Sequence, residues 1–415
     1  MDVNYIVLAI PVFFLLIGIE VLFSKLRQTN YYRLNDAVTN LSCGIGQQVV
    51  GIFLKTATFI GYQFIYANYR LFDMPQTFLM WFLLFIGVDF FYYWFHRYAH
   101  EISFLWGSHI VHHQSEEYNF TVALRQAWLQ GAFSCFFYLP LAVVGFDPIM
   151  FVTISAFQTL YQFWIHTQTI HTLPQPVELI LNTPSHHRVH HGVNPKYIDR
   201  NMGGTLIIWD RIFGTFQPED EEVVYGVKDQ PKSWNPLWLN FHYWIELFRD
   251  LPKASNRADR WRMLVKQPGW RPPELGGVNP PKEVTPDTFP KYDTKVPEGL
   301  NYYVLVQYAL ILLSSSGFLF LPDDFNTLVK LGSAALIILS IVNLGGIFEK
   351  RRWVAYPEYF RLLVFSASIV LFFRESAFLI PVTGFALFLM VASAYWFFQF
   401  WHIFTKPAHV IPDED

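Results

Sequence analysis

Charge is scarce in this sequence, and its scarcity excludes whole classes of protein. Only 15% of the 415 residues are Asp, Glu, Lys or Arg, against about a quarter in an average soluble domain. The formal net charge is −3, so the chain lacks the excess of basic residues that a nucleic-acid-binding surface requires. We therefore predict a membrane protein with no nucleic-acid partner.

Cysteine is also nearly absent. The two cysteines, Cys43 and Cys135, lie far apart in apolar stretches, and neither belongs to a CxxC pattern. A disulfide framework and a thiolate metal site are therefore excluded, and we expect both side chains to be small packing residues.

Several catalytic motifs are missing as well. The sequence has no GxGxxG before a helix, no P-loop, no GxSxG and no HExxH, which argues against nucleotide, serine-hydrolase and zinc-protease sites. It also lacks the His-Pro-Gly-Gly sequence of a fused haem electron carrier. If the protein uses electrons, they come from a separate donor or a diffusible reductant.

Long apolar runs are what the sequence has instead, since 53% of its residues are hydrophobic and 19% are aromatic. A membrane-spanning helix needs about 20 mostly apolar residues. We predict an all-α, multi-pass membrane protein: a helical bundle of about nine spans with a cytosolic, histidine-rich di-metal cap. The predicted spans are Tyr5–Phe23, Val38–Tyr66, Phe78–Phe95, Leu129–Phe146, Ile149–Ile165, Tyr302–Leu321, Leu328–Phe348, Tyr359–Phe373 and Phe378–Phe404.

The basic residues predict the orientation, because Lys and Arg concentrate in short cytosolic loops. With alternating spans, one side of the membrane receives Lys25, Arg27, Arg33, the Glu349–Trp353 segment and Lys406. The other side receives the Asp147–Pro148, Pro322–Asp324 and Arg374–Ser376 turns. This predicts an external N-terminus, a cytosolic C-terminus and histidine-rich segments that face the cytosol. The host membrane is then the endoplasmic reticulum in a eukaryote, or the inner membrane in a bacterium.

Composition divides the chain into four parts. We predict N-terminal spans at 1–76, a histidine-rich core at 77–220, a polar cytosolic or interfacial segment at 221–300 and C-terminal spans at 301–415. Within the third part, Trp234–Leu251 is predicted to form an amphipathic helix in the membrane interface. The proline-rich stretch Lys266–Gly299 cannot form a long helix. It is predicted to be an ordered segment that wraps around the protein, or a linker.

Histidine is the residue that carries the chemistry, because eleven of the 14 histidines fall between His96 and His191. They form an HxxxH pattern at His96 and two HxxHH patterns, at His109 and His187. Residues at i, i+3 and i+4 share a helix face, so each pattern is expected to project its imidazoles to one side. Imidazole suits iron, zinc and copper, and this number of rings implies two metal ions. The predicted ligands are His96, His100, His109, His112, His113, His166, His171, His187, His190 and His191.

Other histidines are expected to have other roles. His186 lies about 100° around the helix from His187 and is predicted to face away. His242 is predicted to pack among aromatic residues, and His402 and His409 to be unrelated to the metals.

Polar residues near the histidines are candidates for supporting roles. Asp89, inside a span and two turns before His96, is predicted to accept a hydrogen bond from a ligand ring. Glu101 is a candidate proton relay or cofactor contact. A polar cofactor could dock at Asn119 and Arg125. The acids of the Glu116–Glu117 pair are expected to lie on a solvated face.

These patterns together resemble the membrane fatty acid hydroxylase and sterol desaturase superfamily, over roughly Asn35 to Phe216. The resemblance implies a di-iron, oxygen-dependent enzyme whose substrate is a membrane lipid. It extends most closely to a subgroup that hydroxylates the ether-linked carbon of glyceryl ethers with tetrahydrobiopterin, releasing fatty aldehyde and glycerol. In that pattern the HxxxH and HxxHH histidines and His166 are ligands, His171 matches loosely, and Glu101 matches a glutamate. The matching segments are Arg33–Asp36, His96–Glu101, His112–Asn119, Ala123–Gln126, Gln162–Thr167, Leu181–Gly192 and Ile207–Phe216.

Two alternatives remain at this stage. One is a hydroxylase or desaturase of a sterol, fatty acid or carotenoid with a separate electron donor, since both reactions begin with the same hydrogen abstraction. The other, a membrane metal transporter, is less favoured because the histidines cluster beyond the ends of spans. A transport path would place its ligands at mid-bilayer.

Overall fold

The structure is a computed structural model that describes residues 5–278, 280–281, 283–319 and 326–405. The predicted Pro322–Asp324 turn, Lys406 and His409 lie outside the described residues. Within the described ranges the fold is helical and has no β-strand. The β pairing there is limited to two isolated bridges, Leu181 with Leu206 and Gly192 with Tyr225. The prediction of an all-α protein is confirmed.

Seven helices in the described part of the chain are long and apolar enough to cross a membrane. Each overlaps a predicted span, so the multi-pass prediction is confirmed. The second is one continuous helix of 36 residues, or about 54 Å at 1.5 Å per residue, and exceeds the hydrocarbon thickness. The seven helices are α1 (Tyr5–Leu26), α2 (Leu34–Tyr69), α3 (Phe78–Glu101), α14 (Glu298–Leu319), α15 (Thr327–Phe348), α16 (Ala355–Phe372) and α17 (Leu379–Phe398).

The two other predicted spans form shorter helices. Helix α7 (Gln130–Val144) has 15 residues and α8 (Pro148–Trp164) has 17, which corresponds to about 22 and 26 Å against a hydrocarbon core of about 30 Å. Gly145, at φ 112°, ends the first helix, and the Asp147 carboxylate caps the second. This pair is a helical hairpin whose members fall short of the span length. A hairpin of two helices returns the chain to the side from which it started, whether or not its helices cross the membrane. The side of the membrane predicted for the ends of every later span is therefore unchanged.

The remaining helices are short and lie mostly between the long ones. They are α4 (Ser103–Trp106), α5 (Ile110–His113), α6 (Phe120–Ala123), α9 (Gln175–Ile180), α10 (Pro184–His190), α11 (Ile208–Phe213), α12 (Pro236–Asp250), α13 (Arg257–Val265) and α18 (Trp401–Thr405). Helix α12 corresponds to the predicted amphipathic helix, since it buries Leu239 and Leu247 and exposes Ile245 and Phe248.

The described chain divides into two compact units, which we describe separately. The first comprises Met1–Lys232 and Trp238–Tyr292, and the second comprises Ser233–Leu237 and Asp293–Asp415. In the first unit an apolar core joins α2, α3, α7 and α8 through residues such as Leu84, Leu141 and Met150. This core packs the first turns of α3 against the helical hairpin, and the last turns of the same helix carry the first two histidines.

Within the first unit, the part of the proline-rich stretch that ends at Tyr292 is held by the acids of the Glu116–Glu117 pair. The Tyr292 amide donates to Glu116 Oε2 at 2.7 Å, and Lys291 Nζ donates to Glu117 Oε2 at 2.7 Å. Arg33 Nε donates to Glu117 Oε1 at 2.5 Å. Glu116 and Glu117 are 4% and 3% exposed, so the expectation of a solvated face is wrong. These acids tie three separate segments together.

The second unit contains α14 to α17 and a buried charged pair. Arg361 and Glu358, both on α16, form two hydrogen bonds of 2.9 and 2.6 Å. Tyr303 of α14 donates to Glu358 Oε1, and Asn343 of α15 donates to Glu358 Oε2. One carboxylate therefore connects three helices of this unit.

Candidate metal centre

The structure gathers nine of the ten predicted ligands into two groups. Within each group, one potential ligand atom from every ring lies within 4.8 Å of all the others. The five-histidine group contains His96, His100, His109, His113 and His190. The four-histidine group contains His112, His166, His187 and His191.

Each HxxHH pattern contributes to both groups, which differs from the single face expected for each pattern. His109 and His113 belong to the five-histidine group, whereas His112 belongs to the other. In the second pattern the i+3 residue, His190, again parts from its neighbours. Positions i and i+4 are about 40° apart around a helix, whereas i+3 and i+4 are about 100° apart. Two ions side by side could therefore both be reached from each short segment.

The nine clustered rings are all buried, and burial favours the neutral form of an imidazole. Each is at most 5% exposed. Burial lowers the pKa of His109 to about 3 and that of His166 to about 4. Burial, reinforced by neighbouring imidazoles, lowers the pKa of His112 and His191 well below the usual value. Neutral imidazole is the form that binds a metal ion.

Six rings are oriented by a hydrogen bond from Nδ1. For five of them the acceptor is a carbonyl oxygen of the main chain or of an amide side chain, and for His100 it is a carboxylate. Such bonds fix the tautomer and turn the Nε2 lone pair toward a metal. The pairs are His96 with Met202 O (2.8 Å), His109 with Gln130 Oε1 (2.9 Å), His112 with Arg125 O (2.9 Å), His166 with Gln162 O (2.7 Å), His190 with Arg200 O (2.9 Å) and His100 with Asp199 Oδ1 (3.2 Å).

These orientations leave lone pairs facing one another. His96 Nε2 lies 2.9 Å from His109 Nε2, yet both rings carry their hydrogen on Nδ1. The buried Nε2 atoms of His100, His190 and His191 have no hydrogen-bond partner. Two nitrogens bound to one ion at about 2.1 Å and at right angles lie about 3 Å apart. The donor set therefore fits a metal ion in each group.

The tenth predicted ligand lies elsewhere. The His171 side chain is exposed, and its main-chain carbonyl accepts a hydrogen bond from Arg188 Nη2 at 3.1 Å. His186 faces away, as expected, with its Nε2 2.8 Å from Glu178 Oε2. His242 packs with Trp238 and bonds the Leu239 carbonyl.

Asp89 does not contact a ligand ring. Its carboxylate accepts hydrogen bonds from the amides of Thr205 and Leu206, at 2.7 and 3.0 Å. It also accepts from Gln158 Nε2 at 2.7 Å and Trp209 Nε1 at 2.9 Å. Instead of the expected hydrogen bond to a histidine, Asp89 forms hydrogen bonds that fix the main chain at Thr205 and Leu206.

The other polar candidates also have structural partners. Glu101 pairs with Arg97 at 2.8 Å. Asn119 caps α6 by accepting from the Thr121 amide, and its Nδ2 donates to the Tyr31 carbonyl at 2.6 Å.

Arg125 is buried beneath the first HxxHH segment. It donates to Val111 O at 2.7 Å, Asn40 Oδ1 at 2.8 Å and Gln114 Oε1 at 3.0 Å. These partners assign Arg125 to the support of His112, whose ring bonds the Arg125 carbonyl, and leave it few donors for a cofactor.

Sequence reasoning missed several residues that support the site. Gln130, Asp199 and the carbonyls of Arg200 and Met202 hold ligand rings, but a main-chain carbonyl leaves no signature in a sequence. Arg188 could have been noticed, because it lies inside the second HxxHH pattern. It forms a two-pronged pair with Glu219, both bonds at 2.7 Å, and donates to the carbonyl of Ile170.

Comparison with known proteins agrees with this geometry. The fatty acid hydroxylase family matches residues 81–215, the part of the chain that contains all nine clustered histidines. Human alkylglycerol monooxygenase is 39% identical over 372 residues, covering 87% of this chain and 82% of the human protein. The chain belongs to the alkylglycerol monooxygenase family. It is therefore an oxygen-dependent membrane monooxygenase.

Other relatives extend the picture. The alkylglycerol monooxygenase of Danio rerio is 36% identical over 405 residues, 95% of this chain and 89% of its own length. An ornithine lipid hydroxylase of Rhizobium tropici is 30% identical, but over only 34% of this chain. No solved structure matches the chain. The likeness to alkylglycerol monooxygenases thus extends well beyond the histidine-rich core.

Proposed function

We propose that this protein hydroxylates the ether-linked carbon of glyceryl ether lipids, using two irons held by the nine clustered histidines. The observation that carries the proposal is the division of nine buried imidazoles into groups of five and four. The names of the relatives that match most of the chain support the substrate class.

The five-histidine group would hold one iron and the four-histidine group the other. When bound, the irons supply the reductive activation of O₂ that a C–H hydroxylation needs. The protein holds the rings in place through their Nδ1–H groups, which donate to the carbonyl oxygens of Met202, Arg125 and Gln162. Each ring then binds through Nε2 without having to reorient.

Burial supplies the second contribution of the protein. The clustered histidines and Tyr118, which is fully buried and stacks against His166, exclude bulk water from the ligand atoms. A dry site protects a reactive oxidant from side reactions. We propose that a lipid chain reaches the site from the bilayer along α3 and α8, which are both rich in apolar residues.

The proposed reaction balances as a monooxygenation. One oxygen atom of O₂ enters the C–H bond next to the ether oxygen, and the other leaves as water after uptake of two electrons and two protons. The product is a hemiacetal, which breaks its carbon–oxygen bond to give a fatty aldehyde and glycerol. Tetrahydrobiopterin is the proposed two-electron reductant, on the basis of the family alone. We propose no docking site for it at Asn119 or Arg125.

We further propose that the histidine groups face the cytosol. The distribution of Lys and Arg supports this orientation, and the shortened hairpin of α7 and α8 leaves it unchanged. The membrane would be the endoplasmic reticulum of a eukaryotic host or the inner membrane of a bacterial one.

The test combines metal analysis with turnover of one lipid. The protein purified in detergent is expected to contain two irons per chain. It should also consume O₂ only when both a 1-O-alkylglycerol and reduced pterin are present, with fatty aldehyde identified by mass spectrometry. Iron at two per chain without any pterin response would indicate a lipid hydroxylase or desaturase with a protein electron donor, and would overturn the ether-lipid assignment.

Matched histidine variants test the ligand set. His112→Ala should lower iron content and abolish aldehyde formation, because it removes one ligand of the four-histidine group. His171→Ala, a change of the same chemistry at an exposed ring outside both groups, should retain both. Equal iron and turnover in the two variants would mean that His112 is not a ligand.

A further inference from the structure

A short irregular segment, residues 199–206, runs beside the five-histidine group, and we call it the strap. Three of the six oriented rings take their acceptor from it: His100 from the Asp199 carboxylate, His190 from the Arg200 carbonyl and His96 from the Met202 carbonyl. All three belong to the five-histidine group.

The four-histidine group is held by other parts of the chain. His112 bonds the Arg125 carbonyl, and His166 bonds the Gln162 carbonyl within its own stretch of chain. Among the described contacts, none joins a ring of this group to the strap. The hydrogen bonds that the strap makes to ligand rings are therefore all in one prospective metal site.

The backbone conformation of the strap allows its carbonyls to point toward different rings. Asp199 and Asn201 have φ values of 56° and 54°, in the left-handed region that Asp and Asn tolerate better than most residues. Such alternation turns successive peptide units in different directions. It allows the Arg200 and Met202 carbonyls to reach two different rings.

Two buried carboxylates hold the strap from behind. Asp210 accepts from the amides of Met202 and Gly203, both at 2.7 Å, and Asp89 accepts from the amides of Thr205 and Leu206. Both acids are fully buried. Each takes two main-chain hydrogen bonds from the strap.

Close packing explains why the strap has glycine at positions 203 and 204, where it passes Asp210 and Asp89. A Cβ on Gly203 would lie 2.5 Å from the Leu206 carbonyl oxygen and 2.9 Å from Asp210 Oδ2. A Cβ on Gly204 would lie 2.9 Å from Asp89 Oδ1. Side chains at these positions would push the strap off its anchors.

We infer that Asp210 and Asp89 are positioning residues for one of the two metal sites, acting through the strap on His96, His100 and His190. This inference rests on the proposed di-iron function. Loss of a hydrogen-bonding partner behind a ligand ring typically weakens metal binding about 10- to 100-fold. The loss is expected in the five-histidine site, while the four-histidine site keeps its affinity.

The experiment is an anaerobic titration of the metal-depleted, full-length protein with Fe²⁺, in detergent and without lipid or oxygen. The parent protein should bind two ions. Asp210→Asn should bind one ion as before and a second about 10- to 100-fold more weakly. The control is Asp147→Asn, because Asp147 also accepts from two main-chain amides, those of Ile149 and Met150, but at the start of α8. It should bind both ions as the parent does.

Double variants assign the weakened site. Adding Asp210→Asn to His166→Ala, which disables the four-histidine group, should weaken the remaining ion. Adding it to His100→Ala, which disables the five-histidine group, should change little further. Equal weakening of both sites, or two unchanged sites in a folded Asp210→Asn protein, would overturn the inference.

A second variant covers the case in which Asp210→Asn is not recovered as folded protein. The Asp199 side chain is 35% exposed, and glycine adopts its φ of 56° without strain. Asp199→Gly is therefore easier to tolerate, and it removes the acceptor beside His100. It should weaken one ion selectively, and Asp199→Asn, which retains an acceptor oxygen, should restore it. Two unchanged ions in Asp199→Gly would contradict the inference. Fewer than two ions in the parent would instead contradict the proposed function.

Discussion

His112 Nε2 lies 3.2 Å from His166 Nε2, and the space between them holds no hydrogen, because Nδ1 of each ring donates to a main-chain carbonyl. Two lone pairs at this distance repel each other unless a cation lies between them. We therefore predict that metal removal destabilises the folded protein. At a free metal concentration 100 times the dissociation constant, binding contributes about 2.7 kcal/mol. With an unfolding entropy of about 2.1 cal/mol/K per residue over 415 residues, chelation should then lower the Tm by about 3 °C for each ion that is lost.

The measurement is thermal unfolding in detergent before and after chelator treatment, with metal content determined on the same samples. Re-addition of Fe²⁺ should restore the original Tm. An unchanged Tm in protein shown to be metal-free would mean that the two rings do not need a cation.

Gln130 provides a second prediction, because its Oε1 is the acceptor for His109 Nδ1 at 2.9 Å. Gln130→Ala should weaken metal binding at the five-histidine group about 10- to 100-fold. Gln130→Glu should restore it, since a carboxylate oxygen can accept the same hydrogen. The check is metal retained after dialysis against a competing chelator. Equal retention by both variants would show that this hydrogen bond does not orient His109.

Part of this site was predictable from the sequence. Apolar run length located the seven long helices, and histidine spacing identified eight of the nine rings that cluster. The ninth, His166, was predicted from its place in the histidine-rich stretch and from the family resemblance. Spacing failed in the assignment of rings to groups, because it treated His109, His112 and His113 as one face. The histidine at position i+3 of each pattern belongs to a different group from its neighbours. Which group it joins depends on how the two short helices α5 and α10 are placed beside each other in the folded protein, and spacing does not record that placement.

The supporting contacts were less predictable, for a physical reason. Asp89 was recognised as a functional residue from its depth in a span, but its partners are main-chain amides more than 100 residues away in the chain. Asp210 is likewise separated from the histidines it serves by the strap. Main-chain hydrogen bonds depend on tertiary placement, and no side-chain pattern records them.

Glu116 gives a prediction about pH. Burial raises its pKa from 4.5 to about 7, against the opposing effects of Arg33 and the Tyr292 amide. Because the folded protein binds this proton more tightly than the unfolded chain, the contribution is most favourable below about pH 4.5 and is lost as pH rises through 7. The free energy of unfolding should fall by up to roughly 3 kcal/mol over that interval.

Glu116→Gln should remove this component. The Tm of the variant relative to the parent should therefore rise between pH 5 and pH 8, as measured by thermal unfolding at several pH values. Glu375→Gln is the control, because the Glu375 side chain is 84% exposed, and its profile should follow the parent. A Glu116→Gln profile parallel to the parent would show that Glu116 does not take up a proton in this range.

Arg361 and Glu358 yield the last prediction, in the second unit. They are 1% and 0% exposed and are joined at 2.6 Å, so removal of one partner leaves a buried charge without compensation. Arg361→Met should therefore cost about 3–5 kcal/mol, whereas the double change Arg361→Met with Glu358→Gln should recover much of the loss. Denaturant unfolding in detergent would measure both. Arg374→Met is the matched control, because Arg374 pairs with Glu375 at side-chain exposures of 68% and 84%, and such exposed pairs contribute about 1 kcal/mol at most. If Arg361→Met were as mild as Arg374→Met, or if the double change were as costly as the single one, the buried pair would not be what holds these helices together.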